Sequence, residues 1–166
     1  FVERFLQHPR HVEIQVVADQ HGTVVHLGER DCSIQRRNQK LVEEAPSPAL
    51  DAATRAQMGD AACRLAAQVG YDSVGTCEFM YEDGKFYFLE MNTRIQVEHT
   101  VTEVVYRFDL VKEMLRIAGG APVDPTLKGR QPEGWAIQVR VNAEDPSANY
   151  RPTPGRLTKY VRPEGP

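Results

Sequence analysis

The chain has 166 residues, of which 41% are hydrophobic and 26% charged, and its formal net charge is −3. These values are typical of a globular protein of one domain or slightly more, and they exclude collagen, a coiled coil, a disulfide scaffold and a disordered chain. No apolar run approaches the ~20 residues of a membrane span, and the weak negative charge argues against a strongly electrostatic nucleic-acid binder. We therefore expect neither a membrane nor a nucleic acid as a partner.

Three cysteines, Cys32, Cys63 and Cys77, form no CxxC pair and are odd in number. We interpret them as free thiols of a reducing compartment, which predicts a cytoplasmic protein of the bacterial cytosol or, in a eukaryote, of the mitochondrial matrix. The sequence begins with Phe rather than Met and ends on Arg-Pro-Glu-Gly-Pro, so we expect a fragment of a longer protein.

The first third of the chain predicts a β-hairpin followed by a charged segment. Apolar and polar side chains alternate over residues 11–18, as in a strand with one buried face. A turn at 19–22 leads to a second strand at 23–28. The segment 29–44 is highly charged, and Pro46 breaks the chain after it.

The middle of the chain predicts a helix over 51–69, ended by Gly70, and then a second hairpin. The strands of this hairpin span 74–81 and 86–91 and are joined around residues 83–84. The buried face of the helix is predicted to contain Met58, Ala62, Leu65, Ala66 and Val69.

The last third predicts another helix and two more strands. The helix begins after Thr100, which forms a capping box with Glu103, and it ends at 119–120. The strands span 135–142 and 157–161. The predicted buried stripe of the helix is Val104, Phe108, Val111, Leu115 and Ala118.

The resulting order of elements, ββ–α–ββ–α–β–β, places hairpins between the helices. It predicts an α+β fold with a mostly antiparallel sheet. The sequence contains neither GxGxxG nor GxxxxGK[ST], so it supports neither a Rossmann nor a P-loop nucleotide site.

A candidate metal site consists of Glu78 and Glu90 on neighbouring predicted strands. If the loop between the strands holds the three residues 83–85, the two glutamates face each other and need a compensating cation. Mg²⁺ prefers such oxygen ligands, and Asn92 points to the same face as Glu90. A two-residue loop would instead place the two glutamates on opposite faces of the sheet. The alternative is an ordinary pair of solvent-facing glutamates.

Several other charged residues have both a chemical and a plain interpretation. Arg94 could bind a planar oxyanion and Glu98 could take a proton, although a salt bridge between them is the simpler alternative. His11 and Arg140 lie on the polar faces of their strands, and each taken alone is interpreted as a surface residue.

The only dense basic cluster is Gln-Arg-Arg-Asn-Gln-Lys at 35–40. It could contact nucleic acid, bind phosphate in a small-molecule site through Lys40, or form a solvated face. Glu43 and Glu44 follow at once and no aromatic residues interleave, which argues against nucleic acid.

Five segments closely resemble the biotin carboxylase family: RHVEIQVVAD, GERDCSIQRRNQKLVEEAPSPAL, EFMYEDGKFYFLEMNTRIQVEHTVTE, RVNAEDP and RPTPGRLT. That family is the ATP-dependent component of acetyl-CoA, propionyl-CoA, methylcrotonyl-CoA, pyruvate and urea carboxylases. The resemblance covers nearly the whole chain and implies an ATP-grasp ligase fold. It also implies that ATP and bicarbonate give carboxyphosphate, whose carboxyl group passes to N1 of biotin on a carrier protein.

The resemblance assigns a role to sixteen residues, in three sets. The metal ligands, for Mg²⁺ or Mn²⁺ with two ions expected, are Glu78, Glu90 and Asn92. The catalytic residues are Lys40 and Arg94 for bicarbonate, Glu98 as general base, and Arg140 for the biotin enolate. The remaining contacts to the nucleotide or to bicarbonate are Glu3, Arg4, Phe5, Leu6, His11, Gln35, Asn38, Gln96 and Val97. Two positions depart from the family pattern: Asn38 replaces a histidine, and Tyr106-Arg107 replaces Thr-Gly.

The resemblance further implies that residues 1–120 are the C-terminal part of the ATP-grasp unit. Residues 121–166 would begin the biotin carboxylase C-terminal domain. The implied partners are a biotinyl carrier protein or domain and a carboxyltransferase, and a homo-oligomer is expected for the full-length protein. Because the lid that closes on ATP would lie upstream, we expect the fragment alone to be inactive. Two alternatives stay open: another ATP-grasp ligase, of the carbamoyl-phosphate or peptide-ligase type, and a non-catalytic assembly module.

Overall fold

The computed structural model describes residues 2–162, and most of its β-strands form one sheet. The strands are β1 (Arg10–Ala18), β2 (Val24–Arg36), β3 (Gln39–Ala45), β4 (Ser73–Glu82), β5 (Lys85–Asn92), β6 (Ala136–Val139), β7 (Glu144–Asp145) and β8 (Arg151–Pro152). Six of them form a sheet in the order β5-β4-β1-β2-β3-β6, with every neighbouring pair antiparallel, and β7 pairs with β8. The predicted α+β fold with an antiparallel sheet is therefore confirmed.

Three helices cover the two faces of the sheet. They are α1 (Ala52–Gln68), α2 (His99–Tyr106) and α3 (Leu110–Ala118), with short 3₁₀ turns at Pro125–Leu127 and Pro146–Ala148. The core beneath α1 contains Val12, Ile14, Met58 and Ala62, together with Phe79. The core beneath α2 and α3 contains Val17, Leu27, Val101, Val105, Leu110 and Ile117. Among residues 2–162, no helix combines the length and apolar character needed to cross a bilayer.

Strand β1 is buried on both faces, whereas the sequence predicted one solvated face. Val12, Ile14 and Val16 pack in the core beneath α1, and the strand's polar residues Glu13 and Gln15 are 0% and 1% exposed on the opposite face. That face is covered by α2, whose Thr102 shares a hydrogen-bonding partner, Arg30, with both polar residues. The predicted alternation of apolar and polar side chains in β1 is confirmed. Its polar face can lie in the interior because the charged side chains on it are paired.

Helix α1 agrees with its prediction except at one residue. Asp51 caps its N-terminus by accepting a hydrogen bond from the Thr54 amide at 2.7 Å, and Gly70 follows with a φ of +64°. Met58 is fully buried, whereas Val69, predicted to be buried, is 62% exposed at the C-cap. The buried face continues to Ala66 in the last turn of the helix and does not include the C-cap residue.

The predicted single helix after Thr100 is wrong, because the chain breaks it into α2 and α3. Arg107 ends α2 in the left-handed region, with a φ of +46°, and Asp109 caps α3. Glu103 accepts a hydrogen bond from the Leu110 amide at 2.7 Å instead of capping Thr100. The break changes the phase of the helical faces. As a result, four members of the predicted buried stripe are exposed: Val104, Val111, Leu115 and Ala118.

The C-terminal strand predictions are also corrected. The strand predicted at 135–142 is shorter, with β6 covering only Ala136–Val139 on the edge beside β3. Residues 157–161 form no strand in the described part of the chain, and Leu157 is 72% exposed there. An isolated strand has no partner for its backbone groups, so β propensity alone does not fix it.

Candidate functional site

A cavity of about 760 Å³ opens where strands β1 to β5 meet the loop before α2 and the segment after β6. Twelve of the sixteen residues that the resemblance assigned to the site line this cavity. They are His11, Gln35, Asn38, Lys40, Glu78, Glu90, Asn92, Arg94, Gln96, Val97, Glu98 and Arg140. Such a volume is typical of small-molecule and cofactor sites.

The four residues 3–6 assigned to the nucleotide do not line the cavity. They precede β1 in an extended segment, where Phe5 is 82% exposed. The Arg4 guanidinium lies over the Tyr87 ring at 5.3 Å from its centroid. Glu3 is exposed and Leu6 half-buried in the same segment. Their nucleotide role stays a prediction.

Glu78 and Glu90 are direct cross-strand partners, although the premise of that prediction was wrong. The turn between β4 and β5 holds two residues, Asp83 and Gly84, both with positive φ, as in a type I′ hairpin. A bulge at Leu89 then shifts the register by one residue, so that Glu78 pairs with Glu90. Sequence reasoning could not locate this bulge. The assumed three-residue loop gave the correct pairing of the glutamates only because the bulge adds the one residue that the turn lacks.

Asn92 lies between the two carboxylates on the same face of the hairpin. Its Nδ2 donates to Glu78 Oε1 at 3.0 Å and to Glu90 Oε1 at 3.3 Å. Glu78 is buried at 5% exposure, whereas Glu90 is exposed toward the cavity. The hairpin therefore presents two carboxylates and one amide to a single point.

Lys40, the last residue of the basic cluster, occupies the centre of a ring of acidic side chains. Its Nζ donates to Glu13 Oε2 at 2.5 Å, to Glu98 Oε1 at 2.7 Å and to Glu78 Oε1 at 2.9 Å. Burial alone would lower the pKa of this amine, but the surrounding carboxylates raise it above its ordinary value. Lys40 is thus a permanent cation.

Arg140 connects the second oxygen of Glu98 to another buried acid. Its Nη2 donates to Glu98 Oε2 at 2.8 Å, and its Nε donates to Glu43 Oε1 at 2.7 Å. Arg140 lines the cavity from the segment after β6. The interpretation of Arg140 as a surface residue, made from its strand pattern alone, is therefore corrected.

Glu78 and Glu98 are ionised at neutral pH. Burial would raise the pKa of Glu78, but hydrogen bonds from His11 and Lys40 outweigh it and lower that pKa to about 2. Burial acts in the same direction on Glu98, and the hydrogen bond and charge of Lys40 lower its pKa below the ordinary value. Charged acceptors are therefore available at the base of the cavity.

His11 and the basic cluster at residues 35–40 form one wall of the cavity. The His11 Nε2 atom lies 2.8 Å from Glu78 Oε2, and Gln35 donates to the backbone oxygen of Cys32 at 2.8 Å. Asn38 sits in the two-residue turn between β2 and β3 with a φ of +63°. Asparagine tolerates this left-handed conformation better than most residues, which gives a physical reason for its presence at that position.

Arg94 does not form the salt bridge with Glu98 that was weighed as its simpler interpretation. Within the described residues, its polar contact is a bond from Nη1 to the Ile95 carbonyl at 3.2 Å. It therefore projects a guanidinium into the cavity while Glu98 is held by other cations. Val97, beside it, is 63% exposed at the cavity wall.

Three buried charged residues of the site were missed by sequence reasoning: Glu13, Arg30 and Glu43. Each is 0% exposed. Glu13 and Glu43 contact the site cations Lys40 and Arg140, respectively. For Arg30 and Glu43, the available signal was the high density of charged residues in β2 and β3, beyond the basic cluster at residues 35–40.

The family profile described as "Carbamoyl-phosphate synthase L chain, ATP binding domain" matches residues 1–126. The chain belongs to this family. Its curated relatives in this family include "Biotin carboxylase, chloroplastic" of Arabidopsis thaliana, 56% identical over 100% of this chain and 31% of that protein. "Biotin carboxylase 1" of Bacillus subtilis (strain 168) is 54% identical over 99% of this chain and 37% of that protein. The chain thus spans about a third of the length of these relatives.

Solved structures agree with these sequence similarities to the family. The biotin carboxylase domain of a thermophilic 2-oxoglutarate carboxylase bound to bicarbonate has a TM-score of 0.93 and 46% identity, covering 98% of this chain and 37% of that one. A biotin carboxylase complex from Campylobacter jejuni has a TM-score of 0.92 and 45% identity, covering 99% and 36%. The resemblance to biotin carboxylases is confirmed, and with it the ATP-grasp class of the fold.

Proposed function

We propose that this chain forms the metal, bicarbonate and biotin side of an ATP-dependent biotin carboxylase. The observation that carries the proposal is the position of Glu98, whose two oxygens are held by Lys40 and Arg140 at 2.7 and 2.8 Å. One acid is thereby placed between a cation suited to bicarbonate and a cation suited to biotin. Relatives named biotin carboxylase, at 54–56% identity, support the same assignment.

The donor set of the hairpin fits a hard divalent cation. Glu78 and Glu90 pair across the strands, and Asn92 reaches both at 3.0 and 3.3 Å. Oxygen ligands of this kind are those that Mg²⁺ and Mn²⁺ take, commonly together with substrate phosphates. We propose that these three residues hold one or two such ions, which when bound neutralise the charge of the ATP phosphates.

Activation of bicarbonate is the first chemical task of the proposed site. Bicarbonate is held by Arg94 and Lys40, with Gln96 and the Val97 backbone beside them, and these cations orient it toward the γ-phosphorus. Glu98, ionised at neutral pH, accepts the proton of the bicarbonate hydroxyl. The freed oxygen attacks the γ-phosphorus, an O–P bond forms, and the bond between that phosphorus and ADP breaks. The product is carboxyphosphate.

Transfer of the carboxyl group to biotin is the second task. Negative charge develops on the ureido oxygen of biotin when N1 loses its proton, and Arg140 stabilises that charge because its guanidinium stays protonated. The carboxyl carbon then bonds to N1, its bond to the phosphate oxygen breaks, and the leaving phosphate takes up the N1 proton. Arg140 is 27% exposed at the cavity, which leaves it accessible to a carrier-bound substrate.

The nucleotide contacts that we propose come from β1, from the end of β2 and the turn after it, and from the segment that precedes β1. His11, Gln35 and Asn38 would meet the ribose and phosphates, and the segment 3–6 would meet the adenine. These assignments follow from the resemblance and from the first three residues lining the same cavity as Glu78.

We propose further that the full-length protein works with a biotinyl carrier and a carboxyltransferase, as a homo-oligomer, in a reducing compartment. The named relatives include a pyruvate carboxylase subunit and a propionyl-CoA carboxylase alpha chain, which supports carboxylase partners. All three cysteines are free thiols, which supports the reducing compartment. The division into units at residues 1–120 and 121–166 stays a prediction, and β6 of the second segment pairs with β3 of the first.

The proposed function is tested with the full-length protein that carries this chain, by following ATP hydrolysis as a function of bicarbonate and free biotin. We expect ATP hydrolysis that requires both bicarbonate and biotin. In Glu90→Gln we expect this activity to fall at least about a hundredfold, since a carboxylate that would hold the metal loses its charge. The matched control is Glu133→Gln, which changes a glutamate that is 60% exposed and outside the cavity.

The outcomes separate the candidate functions. Activity without any biotin dependence would favour another ATP-grasp ligase, and no magnesium-dependent nucleotide binding in either protein would favour an assembly module.

A further inference from the structure

Arg30 is a fully buried cation that the proposed mechanism does not use. It lies on β2 at 0% exposure, beneath the floor of the cavity rather than in its lining. Its guanidinium uses all five N–H donors within the described residues. The acceptors are Glu13 Oε1 at 2.5 Å, Gln15 Oε1 at 2.6 Å, Thr102 Oγ1 at 3.0 Å, Thr76 Oγ1 at 3.1 Å and Gln96 Oε1 at 3.3 Å.

Two of these acceptors turn their other polar end toward the substrate site. Glu13 gives Oε1 to Arg30 and Oε2 to Lys40 at 2.5 Å. Gln96 gives its carbonyl oxygen to Arg30 and its amide nitrogen to Glu78 Oε1 at 3.0 Å. Arg30 thus fixes which end of the Gln96 amide faces the cavity, and it holds the Glu13 carboxylate in place beside Lys40.

The orientation of the Gln96 amide matters because its oxygen accepts hydrogen bonds and its nitrogen donates them. A flipped amide would place its oxygen against the ionised Glu78 carboxylate, which repels it, and its nitrogen against the Arg30 donors. The planar guanidinium, whose donors are fixed in direction, rules out that orientation. The same bonds fix Glu13, and through it the position of Lys40.

We propose that Arg30 is a positioning residue that sets the bicarbonate pocket by orienting Gln96 and Glu13. It touches neither substrate nor reacting atoms. The inference rests on the proposed function, because Lys40 and Gln96 are the proposed bicarbonate contacts. It predicts that a defect at Arg30 appears mainly in bicarbonate use, since Arg30 is not bonded to Glu90 or to the nucleotide wall. Glu78, which accepts from Gln96, also keeps its contacts with His11 and Asn92.

The first test compares Arg30→Lys with wild type in the full-length protein. Lysine keeps the charge but offers three donors in place of five with fixed directions. We expect the KM for bicarbonate to rise about tenfold or more, as misplacement of a reactant does, while the KM for ATP stays within about twofold. Magnesium-dependent ATP affinity, measured by calorimetry, should stay unchanged as well.

The matched control is Arg55→Met. Arg55 donates to both oxygens of the buried Glu29 at 2.8 Å and lies outside the cavity. Its loss removes an arginine–carboxylate pair in which the arginine is 23% exposed and the glutamate 1% exposed, without touching the proposed pocket. We expect a lower melting temperature and an unchanged KM for bicarbonate.

A second variant decides the matter if Arg30→Lys does not fold. Thr102→Val removes one hydroxyl acceptor of Arg30 with little change of shape, and Thr102 does not line the cavity. We expect a smaller rise in the bicarbonate KM, about two- to threefold, again with no change for ATP.

The outcomes distinguish this inference from the proposed function. Suppose that the wild type is active. If the folded Arg30 and Thr102 variants then show an unchanged KM for bicarbonate, or equal rises in the KM values for ATP and bicarbonate, the positioning role alone is overturned. A wild type without bicarbonate-dependent activity overturns the proposed function and this inference with it.

Discussion

At the scale of single residues, several buried carboxylates are satisfied by more than one hydrogen-bond donor. Asp19, in the turn after β1, illustrates this away from the site. Its Oδ1 accepts from the His21 and Thr23 amides, both at 2.9 Å, and its Oδ2 accepts from the Val123 amide at 2.8 Å. Burial would raise the pKa of Asp19, but the backbone donors, Val123 first, lower it below 3.8.

We therefore predict that Asp19→Asn lowers the free energy of unfolding by about 2 kcal/mol at pH 7. Asparagine has one acceptor oxygen, so its amide nitrogen would confront a buried backbone N–H. Because the folded-state pKa is lowered, the wild-type advantage is complete above the unfolded value near 3.8 and disappears as pH falls through the folded value. Urea denaturation between pH 2.5 and 7 measures both effects.

The control for this prediction is Asp51→Asn at the N-cap of α1. Asp51 is exposed and accepts from the Thr54 amide, a task that asparagine performs equally well. The urea midpoint of this variant should stay close to that of wild type. An equal loss in both variants would contradict the assignment to Asp19.

At the scale of elements, the break between α2 and α3 depends on one strained position. Arg107 occupies the left-handed region with φ of +46° and ψ of +52°, where a β-carbon is unfavourable. Its side chain, 72% exposed, contributes a surface ion pair with Glu133, and such pairs add little stability. The family pattern that places glycine here now has a physical explanation.

We predict that Arg107→Gly raises the free energy of unfolding by about 0.5–1 kcal/mol, because glycine adopts this conformation without strain. The matched control is Arg64→Gly, an exposed site inside α1, where the same change should cost about 1 kcal/mol. Thermal unfolding of the two variants should therefore shift in opposite directions. Destabilisation by both changes would show that Arg107 is not strained.

The elements differ in how far their sequence specifies them. Local signals sufficed for α1, where Asp51 and Gly70 mark both ends. Local signals failed for α2 and α3, because the helical spacing of apolar residues from Val104 onward continues across the break. The break itself is visible only in the left-handed backbone conformation of Arg107. Local signals also failed for 157–161, because whether a strand forms depends on a partner. The bulge at Leu89 belongs to the same class, since it follows from pairing rather than composition.

At the scale of the whole molecule, the site is assembled from distant parts of the chain by buried charges. Glu13 comes from β1, Lys40 from β3, Glu78 from β4 and Glu98 from the start of α2, and one ammonium group contacts the three acids. The sequence indicated most members of the site through motif resemblance. It could not indicate that Glu13 is interior, because alternation looks the same for a solvated polar face and a buried ionic one.

This arrangement predicts that Lys40 is a structural cation as well as a site residue. Lys40→Met leaves Glu13, Glu78 and Glu98 buried together without their common donor, and breaking a buried pair from one side costs about 3–5 kcal/mol. We expect that loss in the free energy of unfolding at pH 7, measured by urea denaturation of the full-length protein. The control, Lys112→Met on the exposed face of α3, should leave it nearly unchanged. Equal stability of the two variants would contradict this structural role of Lys40.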